Sequence, residues 1–110
     1  MHISESQDVG ACSADCPVRK TAQILDGKWT ILVIRDLLSG KKRYNELERS
    51  LKGISPRLLS LRLRTLEQQG IVLRHQYPTN PPTTEYELSE HGLRLQGVIE
   101  AMASFSRQLD

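Results

Sequence analysis

Cysteine is scarce in this chain: two residues, Cys12 and Cys16, spaced C-x3-C. That spacing is neither the C-x-x-C of a dithiol redox centre nor a complete metal set, and His2 as a third ligand still leaves zinc one short. A βαβ pattern and a glycine-rich cofactor loop are also missing, which argues against a thiol oxidoreductase and leaves no catalytic residue, metal or cofactor to assign. No apolar run approaches the ~20 residues of a membrane span. The opening MHISESQDVG is polar and holds no apolar signal core, so the sequence predicts a cytoplasmic protein with no membrane partner. What remains is a chain of 110 residues, 38% hydrophobic and 25% charged. Those values describe one globular domain whose modest core leaves room for help from a partner subunit.

A net charge of +2 says little by itself, but its distribution is uneven. Between Lys41 and Arg64 lie eight basic and two acidic residues, an excess of +6 set against −4 in the rest of the chain. Such segregation suits a polyanion partner. A solvated face of mixed helices gives the same tally, so the order of elements has to decide.

Residues 1–14 lack periodicity and read as a flexible arm; residues 15–110 form the folded domain. Asp15 or Cys16 caps a first helix with Pro17 at its start, and Gly27 interrupts it. The run from Trp29 to Leu38, apolar on nearly every side and stopped by Gly40, predicts a buried central helix. Tyr44, Leu47 and Leu51 mark a short third helix, closed near Gly53. Ser55-Pro56 and Gly70 then bracket a fourth, over about 55–69. At 100° per residue, Leu59, Leu63 and Leu66 share one stripe, while Arg57, Leu61, Arg64 and Gln68 lie opposite. Residues 71–77 and 84–88 alternate like strands around the loop Pro78-Thr79-Asn80-Pro81-Pro82. Ser89 caps a last helix, 89–108, with a stripe of Leu95, Val98 or Ile99, Met102, Phe105 and Leu109.

Helix, short helix, tight turn, helix and hairpin is the order of a winged helix-turn-helix, mainly α with a small antiparallel β-hairpin. The fourth helix would then be the recognition helix, lying in the major groove of double-stranded DNA with its N-terminal half against the bases. On that half the outward residues are Arg57, Ser60, Leu61 and Arg64. An arginine fork can donate twice to guanine, and Leu61 can offer only apolar contact, for which the thymine methyl is the natural partner. Lys42, Arg43, Ser55 and Arg74 complete the candidate DNA-binding set, with Lys42 on phosphate and Arg74, together with His75, also placed there. The plainer reading of Arg57 and Arg64 is solvated helix charge, but this order of elements favours DNA. Arg62 lies nearer the packed edge and suits a salt bridge or phosphate as well as a base. Trp29 and Tyr86 read as core aromatics and His91 as a surface residue.

Cys16-Pro17, the run GKWTILVIRDLLSGKKRYNELERSLKGISPRLLSLRLRTLEQQG at 27–70 and the YP…PP…EYELSEHG sequence at 77–92 resemble the HxlR family of bacterial transcription regulators, relatives of the MarR proteins. The resemblance runs from Cys16 to the C-terminus. It implies a homodimeric winged helix on palindromic operators, the first and last helices forming the dimer contact. It also implies that a cysteine just before the first helix senses electrophiles, quinones or oxidants, the position that Cys16 holds. Family members often carry an arginine after the Pro-Pro of the wing tip; this chain has Thr83, which puts a minor-groove arginine contact in doubt.

At a helix start, the Cys16 sulfur would lie near the amides of Val18 and Arg19, where the dipole favours thiolate. The duller reading is a small buried cysteine that packs. An extended 12–16 segment separates the two Cα atoms by about 13 Å, against a limit of about 7 Å for a disulfide. A Cys12–Cys16 bond needs a turn between them, and a bond across the dimer is the competing option. Two other functions stay open: a winged helix used for protein–protein interaction, with Leu58 and Leu61 as its apolar patch, and a regulator of a non-covalent small ligand with structural cysteines.

Overall fold

The computed structural model describes residues 16–109. The proposed arm, Cys12 and His2 lie outside the described residues. Helix α1 (Pro17–Ile24) begins where Cys16 stands in extended backbone and Pro17 takes the first helical position, where a missing N–H forfeits no bond. Gly27, at φ 86°, turns the chain into α2 (Lys28–Leu37). That helix buries Thr30, Val33, Ile34 and Leu37 and lies at the centre of the fold, against the elements that follow.

A two-residue strand β1 (Lys42–Arg43) leads directly into α3 (Tyr44–Ser50), where the Arg43 backbone N–H donates to Glu46 Oε1 at 2.7 Å. Helix α4 (Pro56–Gln68) starts at Ser55, whose Oγ accepts from the Leu58 N–H at 3.1 Å. It ends in a Schellman turn: Gly70 is left-handed at φ 75°, and the Ile71 N–H returns to the Leu66 carbonyl at 2.9 Å. Leu59, Leu63 and Leu66 are fully buried along one side of α4. Each contributes about 1.5–3 kcal/mol of hydrophobic stabilisation. The spacing rule thus places the packed face correctly.

Strands β2 (Val72–Tyr77) and β3 (Thr83–Leu88) pair antiparallel, and β1 adds to the other edge of β3, giving the order β1-β3-β2. The hairpin was expected; the third strand was not, because two residues carry no alternation to read. Register places Lys42, Tyr86 and Arg74 abreast in one row and Arg43, Glu85 and His75 in the next. Adjacent rows point to opposite faces. Val72 and Leu88, paired and buried, seat the sheet on the core.

The single last helix predicted over 89–108 is two helices, α5 (Glu90–Leu93) and α6 (Gln96–Arg107). Ser89 Oγ donates to the Gly70 carbonyl at 2.6 Å and accepts from the Gly92 N–H at 3.0 Å, fastening α5 to the end of α4. Gly92 lies flat on the Ile71 backbone, where any Cβ would collide with the carbonyl. The chain then tightens to i→i+3 bonds at Arg94 and Leu95 before α6 departs.

Candidate nucleic-acid interface

The outward side of α4 is as the leucine stripe requires: Arg57, Leu61 and Arg64 are exposed, Leu61 to 45%. Leu58, expected beside Leu61 as part of an apolar patch, instead packs half-buried against the core. Leu61 is then the one large apolar side chain exposed on this helix, which weakens the case for a protein-docking face there.

Ser60 is half-buried and tied inward. The Tyr44 hydroxyl donates to the Pro56 carbonyl at 3.0 Å and lies 3.2 Å from Ser60 Oγ. Tyr44 has one hydrogen, and Pro56 takes it, so Ser60 donates to Tyr44. Ser60 therefore has no hydrogen left to give a base, and its part is to hold α3 against the start of α4. Tyr44 is the residue that sequence reasoning missed here. Ser55 uses its Oγ lone pair on Leu58 but keeps its own hydrogen.

Arg62 leans toward the α1–α2 junction, its guanidinium near Gly27 and its Nε buried without a partner. It does not share the exposed face. Part of the basic excess is also compensated: Glu85 Oε1 lies 4.0 Å from Lys41 Nζ, and Glu85 Oε2 lies 3.8 Å from Arg43 Nε. Lys42, on the opposite side of the strand, is half-buried.

Arg74 and His75 point to opposite faces of the hairpin. His75 Nε2 pairs with Glu87 Oε2 at 2.6 Å, while Arg74 donates to Gln76 Oε1 at 3.1 Å and shares a cleft with the Tyr86 phenol. Arg74, Tyr86, Ser60, Arg64 and Glu67 line a cleft of about 300 Å³ between α4 and the sheet. Burial raises the Tyr86 pKa, an effect that the nearby Arg74 guanidinium opposes. Its phenol stays protonated at neutral pH. At the wing tip, Thr83 Oγ1 meets Thr79 Oγ1 at 2.8 Å, a contact that braces the loop from within. Trp29 packs half-buried against the core, with Lys28 Nζ 4.7 Å from its ring centroid.

Cys16 is the N-cap of α1 by position, yet its side chain makes no cap hydrogen bond and is 3% exposed. The expected contact with the first amides is not made; the thiol is packed inward. On the far side of the molecule the long apolar stripe divides. Leu95 and Ile99 pack on the core, whereas Met102, Phe105 and Leu109 stand exposed, as does Val18 of α1. Among the described residues no three His, Cys, Asp or Glu side chains gather as a metal site, and no helix is long and apolar enough to cross a membrane.

A leucine-anchored helix after a short helix and a tight turn, followed by a hairpin braced on the core, defines a winged helix-turn-helix. Residues 24–109 match the HxlR-like helix-turn-helix family, and the chain belongs to it. The family groups with the MarR-type transcriptional regulators, a DNA-binding class and not an enzymatic one. The chain is 45% identical over 87 residues to sll1512, an uncharacterized HTH-type transcriptional regulator of Synechocystis, covering 79% of this chain and 64% of that protein, just under two thirds of its length. A MarR-family transcriptional regulator from Porphyromonas gingivalis superposes with a TM-score of 0.83 at 39% identity, over 86% of this chain and 93% of that one. The redox regulator HypR in its oxidized form superposes with a TM-score of 0.79 at 39% identity, over 84% and 96% of the two chains.

Proposed function

We propose that this protein is a sequence-specific DNA-binding transcriptional regulator that acts as a homodimer on a palindromic operator and responds to oxidants or electrophiles through Cys16. The observation that carries the DNA reading is α4 itself, with buried leucines on one side and Arg57, Leu61 and Arg64 exposed on the other. The dimer reading is supported by the exposed Met102, Phe105 and Leu109 stripe, apolar surface that a symmetric contact would cover. The redox reading is supported by the likeness to HypR and by Cys16 standing at the start of α1. Burial of Cys16 favours a second reading, in which the thiol packs and the effector binds without covalent chemistry. Protection mapping on the DNA flanking its own gene, done reduced and after mild oxidation, tests all three parts. Two protected half-sites about one helical turn apart are expected. Oxidation should change the protection, and Cys16→Ser should abolish that change while keeping the reduced footprint. Oxidation-insensitive protection selects the packing role for Cys16; no protection on any duplex overturns the DNA reading.

A further inference from the structure

The cleft between α4 and the hairpin brings two arginines together from different elements, Arg64 from the helix and Arg74 from β2. Neither pairs with a carboxylate among the described residues. Tyr86 closes the floor at 8% exposure. Arg74 has only hydrogens to give, so toward its guanidinium the Tyr86 oxygen can only accept. The phenolic hydrogen is thus left over, held inside a concave site beside two guanidinium groups. The one acid in the cleft, Glu67, stands one helical turn beyond Arg64, about 4.5 Å along α4 at 1.5 Å per residue, and its charge reaches the Tyr86 phenol. Two guanidinium groups against one carboxylate leave the cleft net cationic, and Arg64 lies on the side of Glu67 nearer the N-terminal half of α4, from which a duplex would approach.

We propose that this cleft is a seat for one backbone phosphate of the DNA, gripped jointly by Arg64, Arg74 and the Tyr86 hydroxyl. The inference rests on the DNA-binding reading and makes it more specific. Arg64 becomes a phosphate ligand and not a base reader, and Tyr86, a core aromatic by sequence, becomes part of the interface. Because one phosphate would bridge helix and wing, the seat would also fix the angle at which α4 enters the groove.

Phosphate-ethylation interference on the protected duplex tests it, with the wild-type protein beside Arg74→Gln, Arg64→Gln and Tyr86→Phe. In the wild type, ethylation of one phosphate per half-site should exclude the duplex from the complex. In each variant that same position should become tolerant, with the rest of the pattern unchanged. Tyr86→Phe keeps the packing and should weaken binding about tenfold through loss of a hydrogen bond to a charged group. Arg74→Gln should make the log–log salt slope shallower by about one for each subunit. Inorganic phosphate should displace the duplex no better than chloride at equal ionic strength; much stronger displacement would make the free anion the ligand and overturn the assignment to DNA. Identical interference patterns in wild type and variants would overturn the seat while leaving DNA binding intact. Relaxed preference at a base pair in Arg64→Gln, with no tolerant phosphate, would return Arg64 to base reading. Failure to bind any duplex would remove the functional reading itself, a different outcome from either.

Discussion

Leu63 and Arg57 stand six positions apart on one helix and do opposite work. Leu63 is 1% exposed among Leu59, Leu66 and the α2 side chains, so truncating it removes core contacts and touches nothing on the outer face. Leu63→Ala should lower unfolding stability by about 2–5 kcal/mol, read from urea denaturation. Arg57 is exposed in the first turn, and Arg57→Ala should leave that denaturation curve in place. Its effect should appear instead as a loss of about 1–3 kcal/mol of discrimination at one base pair, measured across single-base operator variants. An unchanged base preference in Arg57→Ala would remove it from readout. Ser60 shows why exposure by helical angle is not enough: the wheel turns it outward, but Tyr44, sixteen residues earlier, claims its hydrogen. No spacing within α4 carries that information.

Local devices made most elements legible. Pro17 and Pro56 at helix starts, Gly70 at a helix end and the alternation through 72–77 each act within one turn or one strand pair, where sequence patterns speak directly. The break between α5 and α6 falls at Arg94 and Leu95, just ahead of the apolar stripe, which begins at Leu95 and so carries no sign of it. The stripe itself divides along α6: Leu95 at its N-cap and Ile99 near its start pack on the core, while Met102, Phe105 and Leu109 project uncovered toward its end. Truncation after Ala101 removes those three residues and no member of the buried core. The shortened chain should therefore stay folded yet sediment as a monomer, and lose high-affinity binding to the full operator. A truncated protein that still sediments as a dimer would place the contact elsewhere.

Charge is the property of the molecule that sequence reading overstated. Eight cations between Lys41 and Arg64 form a basic segment in one dimension, but the fold lays Glu85 between Lys41 and Arg43 and turns Arg62 inward. For a dimer engaging three or four phosphates per subunit, the log–log salt slope would be roughly −5 to −7, and this compensation favours the shallow end. Glu85→Gln tests whether the compensated cations belong to the DNA surface. These are long, partly exposed contacts, of a kind that contributes about 0–1 kcal/mol to stability, so the fold should persist without them. Lys41 and Arg43 would then be free to take phosphates of their own. Binding should tighten at low salt, and the slope should steepen by about one to two per subunit. An unchanged slope in a folded Glu85→Gln protein would place both cations away from the duplex. The working surface would then narrow to α4, Lys42 and the Arg74 side of the wing.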